Sequence, residues 1–297
     1  MKKRVLGIIL AIFTIFAVAC GNKQAETTAT TAPAETASAL KEVTVAASPV
    51  PHAEILYQVV DDMKALGYDL KVQEFSDYVL PNTAVNEGSI MANYFQHKPY
   101  LDDFNKERGT NIVTVSDGKI HYEPFGIYKG TKDVLVLSKG DKIAVPNDVT
   151  NEARALLLLE SAGVIKLKEG VGLTATKLDI IDNPNNVEIV ELESAQIPRA
   201  LQDVALACMN GNYAMEAGYK VSDALFVEAQ DSEAAQTYAN ILCVKAGNEG
   251  EGWALDLFNC LKSQKVKDYI AKTYDKSVIA INKFVIADII WQSKGLV

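Results

Sequence analysis

Three histidines, one arginine and four cysteines carry most of the chemistry this sequence could perform. His52, His97 and His121 come from separate segments, and "HAE" and "HYE" place a glutamate two residues after the first and the third. Zinc takes three or four convergent His, Cys or carboxylate groups, so a zinc or other metal receptor is one reading. The neighbours favour another. Tyr94, Phe95, Pro99 and Tyr100 surround His97, Tyr122 and Phe125 follow His121, and Pro49 and Pro51 precede His52. That setting describes an aromatic, partly polar pocket for an organic ligand, with His52 in a structural role at a helix start. Arg154 lies in "NEARALLLL", one turn into an apolar helix. Such an arginine either snorkels outward or faces a carboxylate near the helix N-terminus, and the pattern leaves both open. Asn and Tyr concentrate at predicted strand ends and turns: Tyr78, Asn82, Asn93, Tyr94, Asn147, Asn151, Asn210, Asn212, Tyr213 and Asn240.

Other chemistries find no support. GxxxxGK[ST], GxSxG, HExxH and PCxxC are absent, and no nucleophile, base and orienting group stand in recognisable order, so neither an enzyme nor a cofactor is expected. A single GxGxxA at Gly170–Ala175 follows the charged stretch "KLKEG" rather than a strand, which reads as a turn. With 29 basic against 38 acidic residues the net charge is −9, and no basic block exists to neutralise nucleic-acid phosphates. Cys208, Cys243 and Cys260 sit among apolar neighbours without CxxC spacing, as small buried hydrophobes with at most one bridge among them.

The elements that must position these groups are legible in outline. Lys2, Lys3 and Arg4 precede the 14-residue apolar run Val5–Val18, too short to span a bilayer, and small residues lead into Cys20. Residues 1–19 therefore read as a signal peptide. Residues 20–41, rich in Thr, Ala and Glu, read as a flexible tether. From Glu42 onward, period-two strands ("EVTVAAS", "YDLKVQEF", "TNIVTVSD") alternate with period-3.6 helices ("HAEILYQVVDDMKALG", "KPYLDDFNKERG"). This is an α/β chain with a mixed or mostly parallel sheet. A strong helix, "NEARALLLLESAG", has Thr150 or Asn151 as its N-cap, and two helices, "EGWALDLFNCLKS" and "KVKDYIAKTY", lie near the end. The length calls for two lobes: residues 42–128 plus 243–297 as the first, 129–242 as the second. Gly126, Gly130 and Gly247 lie near the expected crossings, where backbone rotation would occur.

Several stretches resemble the NlpA family of lipoproteins, the methionine-binding components of ABC importers. They are "ASPVPHAEIL", "DYVLPNTAVNEGSIMANYFQHKPYLDDFNKERG", "HYEPFGIY", "IAVPNDVTNEARALLLLESAGVIKLKEGVGL", "ELESAQIPRALQDV" and "NGNYAMEAG". The residues before Cys20 likewise resemble a bacterial lipobox, which implies lipidation of Cys20 and anchoring to the membrane, facing the periplasm or the cell exterior. The family resemblance implies a two-lobed periplasmic-binding-protein architecture, type II-like, with two crossover strands. It also implies a ligand, L-methionine, D-methionine or a methionine-containing dipeptide, delivered to a permease and its ATPase. Carried over motif by motif, the aromatic wall would be Tyr78, Phe95, His97, Tyr100 and His121. Arg154 would meet the ligand carboxylate, and Asn210 and Asn240 its head group. Two departures stand out: "DSEAAQTYAN" replaces the usual acidic-Ser-Pro-Tyr lead-in to Asn240, and residues 282–297 extend past the usual end. If Arg154 serves only the ligand, replacing it with Lys should leave the melting temperature of the empty protein unchanged.

Overall fold

The computed structural model describes residues 39–228 and 236–281. The segment expected to be a signal peptide, Cys20, the expected tether up to residue 38 and the extension 282–297 lie outside the described residues. Strand β1 (Lys41–Ala47) leads into short helices α1 (Glu54–Tyr57) and α2 (Val60–Ala65), then β2 (Tyr68–Glu74). Helix α3 (Leu80–Glu87), β3 (Ala92–His97), α4 (Lys98–Arg108) and the long β4 (Ile112–Tyr122) follow. Both α3 and α4 stop at a glycine in the left-handed region, Gly88 at φ 81° and Gly109 at φ 62°.

The chain then builds a second sheet from β5 (Gly126–Lys129), β6 (Lys142–Pro146), β9 (Glu188–Leu192), β10 (Leu206–Met209) and β11 (Phe226–Val227). Between these lie α5 (Val149–Ser161), the small β7–β8 hairpin (Lys166–Leu167, Ile180–Asp182), α6 (Ile197–Ala200) and α7 (Gly211–Glu216). The chain returns through β12 (Asn240–Lys245), α8 (Gly252–Leu261), α9 (Gln264–Thr273) and β13 (Ile279–Ala280). The GxGxxA segment forms a single 3-10 turn, Gly172–Thr174. Among the described residues no helix is long and apolar enough to cross a membrane.

Sheet one runs β13-β4-β12-β3-β1-β2 and sheet two β11-β5-β10-β6-β9. Both are mixed: β1 is parallel to β2 and β3, whereas β12 is antiparallel to β3 and β4. Strand alternation divides the apolar side chains between faces. In sheet one Val43, Val45 and Ala47 pack with Ile55, Met63, Trp253 and Leu257, while Ala46 meets Phe95, Phe104 and Ile241 on the other side. In sheet two Ile143, Val145, Leu206 and Cys208 pack against Leu156 and Leu159 of α5.

The chain passes between the sheets at residues 123–125 and again between 227 and 240. The lobe limits expected at 128 and 242 thus fall inside β5 and β12, because the apolar strand patterns run on across both passages. At two of the nearby glycines, close packing leaves no room for a side chain. A Cβ on Gly130 would lie 2.2 Å from the Val204 carbonyl oxygen, and one on Gly126 would lie 2.8 Å from Cε2 of Tyr128. Cys208, Cys243 and Cys260 are all free thiols, the first two fully buried.

Candidate functional site

Helix α5 shows why an arginine can be held inside. Its first half is buried all round, Thr150 through Leu156, so Arg154 has no path along which to snorkel. A charge so enclosed requires a partner. Its Nε donates to Glu228 Oε2 at 2.9 Å, Nη2 to Glu228 Oε1, and Nη2 also to the Glu123 carbonyl oxygen at 3.1 Å. The guanidinium carbon lies 4.0 Å from the Tyr238 ring centre and 5.0 Å from that of Phe125. Burial opposes the charge, but Glu228 outweighs it and raises the arginine's pKa above its ordinary value. The helix is capped by Asp148, two residues before Thr150 and three before Asn151, the caps expected from the sequence. Asp148 accepts from the Asn151 backbone N–H at 3.0 Å and from its side-chain amide at 2.9 Å.

Arg154 lines a cavity whose walls come from both lobes and from the first passage. Tyr78, Phe95 and Tyr100 form an aromatic end, with ring centres 5.7 to 6.1 Å apart. Asn151, Asn210 and Asn212 stand on the second-sheet side, Glu123 enters from the first passage and Asn240 opens β12. The two lobes bond directly around this space. The Tyr78 hydroxyl donates to Asn212 Oδ1 at 2.6 Å, and the Tyr213 hydroxyl to the Ser76 carbonyl at 3.1 Å. His97 Nε2 meets Asn151 Oδ1 at 3.1 Å, and His97 Nδ1 accepts from the Tyr100 N–H at 3.3 Å. Burial lowers the His97 pKa to about 3, helped by the charge of Arg154, so the ring is neutral.

Glu123 is the buried carboxylate of the cavity. Its Oε1 accepts from His121 Nε2 at 2.6 Å and lies 3.4 Å from His52 Nε2. The other nitrogen of His121 bonds the Tyr94 hydroxyl, and His52 Nε2 also meets Asn240 Oδ1 at 2.9 Å. Burial raises the pKa of Glu123, against the pull of His52, Arg154 and the Asn212 N–H. Burial also lowers His52 to about 4 and His121 to about 3. Gly211 makes room for the carboxylate, since a Cβ there would lie 2.7 Å from Glu123 Cβ and 3.0 Å from Oε2. Gly211→Ala is therefore expected to displace Glu123, to cost about 1–3 kcal/mol in urea unfolding and to weaken ligand binding with it.

Seven of the eight ligand-binding residues expected from the sequence, Tyr78, Phe95, His97, Tyr100, Arg154, Asn210 and Asn240, line this cavity. His121 is the correction: it is fully buried behind Glu123, with both ring nitrogens occupied, and is no part of the wall. Gln96, Glu123, Asn151, Gly211 and Asn212 also line the cavity and were not assigned to it. "HYE" had drawn attention to Glu123 only as a metal ligand. The three histidines do not converge. His97 stands apart on Asn151, while atoms of His52, His121 and Glu123 lie within 4.8 Å of one another. Ligands of a tetrahedral zinc stand about 3.4 Å apart. His121 and Glu123, at 2.6 Å, are instead hydrogen-bonded to each other.

Two buried polar atoms of the cavity residues have no partner among the described residues: Asn210 Oδ1, an acceptor, and Asn212 Nδ2, a donor. Together with a buried carboxylate and a guanidinium at one end, and three aromatic rings at the other, they suit a small zwitterion with an apolar tail.

Two mixed sheets joined by two passages, with a polar cavity between them, define the class of periplasmic substrate-binding proteins. Two solved structures share the architecture. An ABC transporter periplasmic substrate-binding protein from Coxiella burnetii is 38% identical, at TM-score 0.75, covering 80% of this chain and 100% of that one. A nutrient-binding protein from Burkholderia cenocepacia, solved bound to methionine, is 41% identical, at TM-score 0.75, covering 81% and 100%. The D-methionine-binding lipoprotein MetQ of Salmonella typhimurium is 41% identical over 231 residues, 76% of this chain and 82% of that protein. The family model described as NlpA lipoprotein matches residues 43–282, and the chain belongs to that family.

Proposed function

We propose that the chain is the capture component of an ABC importer and that its cavity holds methionine. The observation that carries this is the pairing of Glu123 and Arg154 with the orphaned amides of Asn210 and Asn212 at one end, and the Tyr78, Phe95 and Tyr100 rings at the other. The ligand ammonium meets Glu123 and Asn210 Oδ1, and its carboxylate meets Arg154 and Asn212 Nδ2. An unbranched thioether packs against the rings, where sulfur gains roughly 0.3–1.5 kcal/mol from an aromatic neighbour. The lobes close over the ligand and open to release it to a membrane permease served by an ATPase. A lipid on Cys20 anchors the protein outside the cytoplasmic membrane, and the tether lets the globular part reach the permease.

Calorimetry on protein freed of ligand by unfolding and refolding tests the reading. Methionine is expected to bind, valine and glutamate to give no heat, and EDTA to leave the methionine isotherm unchanged. Valine is too short to bring a sulfur or chain end against the rings, and the glutamate carboxylate would be desolvated there without a partner. A silent methionine titration, or an isotherm abolished by EDTA, would refute it.

A further inference from the structure

Glu228 follows β11 directly, at the start of the second passage between the sheets, and it is not part of the cavity wall. Its carboxylate nevertheless accepts four hydrogen bonds: from Arg154 Nε at 2.9 Å, from Arg154 Nη2, from the Tyr122 hydroxyl at 2.5 Å and from the Phe125 N–H at 2.8 Å. Tyr122 and Phe125 flank Glu123 in the first passage, so one carboxylate ties both passages to helix α5. The pair is enclosed, with Arg154 5% and Glu228 11% exposed, which separates it from a screened surface ion pair. A carboxylate with so many fixed donors has a single orientation, and the guanidinium bound to its edge inherits that orientation.

We propose that Glu228 is a positioning residue for ligand recognition: it grips the Nε–Nη2 edge of Arg154 and leaves Nη1, which has no acceptor among the described residues, as the nitrogen offered to the ligand carboxylate. The inference rests on reading the cavity as an amino-acid site. It assigns carboxylate recognition to a side chain that the ligand does not touch, and it makes that recognition end-on through one nitrogen rather than bidentate along the arginine's edge.

The test compares methionine with methioninamide, in which an uncharged carboxamide replaces the carboxylate. Both are titrated into ligand-free wild type and Glu228→Gln at about pH 6, where both amines are protonated. The wild type should prefer methionine by about ten-fold or more, the worth of a hydrogen bond between charged groups. In Glu228→Gln, methionine should lose most of that factor while methioninamide changes less than about two-fold. A purely structural role would weaken both ligands equally, and that result overturns the proposal. A stronger preference for methionine in the variant would make Glu228 a competitor for Arg154 and would overturn it too. If the wild type binds neither ligand, the amino-acid reading itself falls and takes the proposal with it. Tyr122→Phe removes one donor to Glu228 and no charge. It should give a smaller loss, again confined to methionine, and it carries the test should Glu228→Gln not fold, equal loss on both ligands again overturning the proposal.

Discussion

Arg154→Ala is expected to unfold on the order of 10 °C below the wild type, even with no ligand present, and to lose methionine binding. Removing the guanidinium leaves the Glu228 carboxylate enclosed with, among the described residues, the Tyr122 hydroxyl and the Phe125 N–H as donors. Breaking a buried ion pair from one side costs about 3–5 kcal/mol, and in a chain of this size each kcal/mol moves the midpoint by about 2–4 °C. The loss of the charge-assisted bond to the ligand weakens binding by about ten- to a hundred-fold beyond any effect of misfolding. Thermal unfolding followed by circular dichroism, with calorimetry on the folded fraction, reads both effects. A variant that melts with the wild type would show that the pair contributes nothing to the fold. Arg154→Lys should fall in between, because an ammonium cannot hold two acceptors along a planar edge. The melting temperature is thus expected to change where the sequence alone suggested that it would not, since Arg154 serves the protein before it serves a ligand.

Glu123→Gln should weaken methionine binding by at least about 100-fold, because it removes the buried carboxylate that the ligand ammonium needs. The same residue sets a pH dependence whose sign is determined by its environment. Burial raises its pKa, so the empty protein keeps a proton on Glu123 to a higher pH than a free glutamate would. An ammonium favours the ionised form, so below the raised pKa binding expels that proton. Affinity should climb with pH through that window and flatten above it. Burial lowers His52 to about 4 and His97 and His121 to about 3, below the raised Glu123, so the three rings stay neutral through that window. Calorimetry in buffers of different ionisation heat should detect the released proton in the wild type and none in Glu123→Gln. Equal proton release in both would assign the titration elsewhere.

Residue type and period were enough to read most of the helices and strands, although "HAEILYQVVDDMKALG" breaks into α1 and α2 at Gln58 and Val59, and the family resemblance carried by "DYVLPN", "NYFQHKPY" and "NEARAL" supplied most of the cavity wall. What escaped depends on contacts distant in sequence. Whether Arg154 turned in or out depended on Glu228, which is 74 positions away. His121 lies in β4 and Glu123 just past its end, two positions on, and the approach of Tyr94 to the first and of Gly211 to the second separates the one that reaches the cavity from the one behind it. Asn151 and Asn212 were conspicuous only as members of an asparagine-rich set, because a lone asparagine at a helix start has a local use as well. Asp148 caps α5 in preference to Thr150 and Asn151 because its carboxylate can accept from both Asn151 amides at once.

The place of β12 bears on how the molecule is made. This strand lies between β3 and β4, at the centre of the first sheet, yet it is synthesised only after the entire second sheet. Until residue 245 is available, the first sheet consists of a three-strand piece and an unpaired β4, with a gap where Leu242 and Val244 complete the core. Contacts of such long sequence separation form slowly, because loop closure precedes the gain from pairing. A chain emerging from its N-terminus therefore stays without a finished first lobe until nearly all of it has appeared. The last central strand of the first lobe to be synthesised is also the one that carries Asn240 into the cavity wall, so neither the sheet nor the site is complete before it.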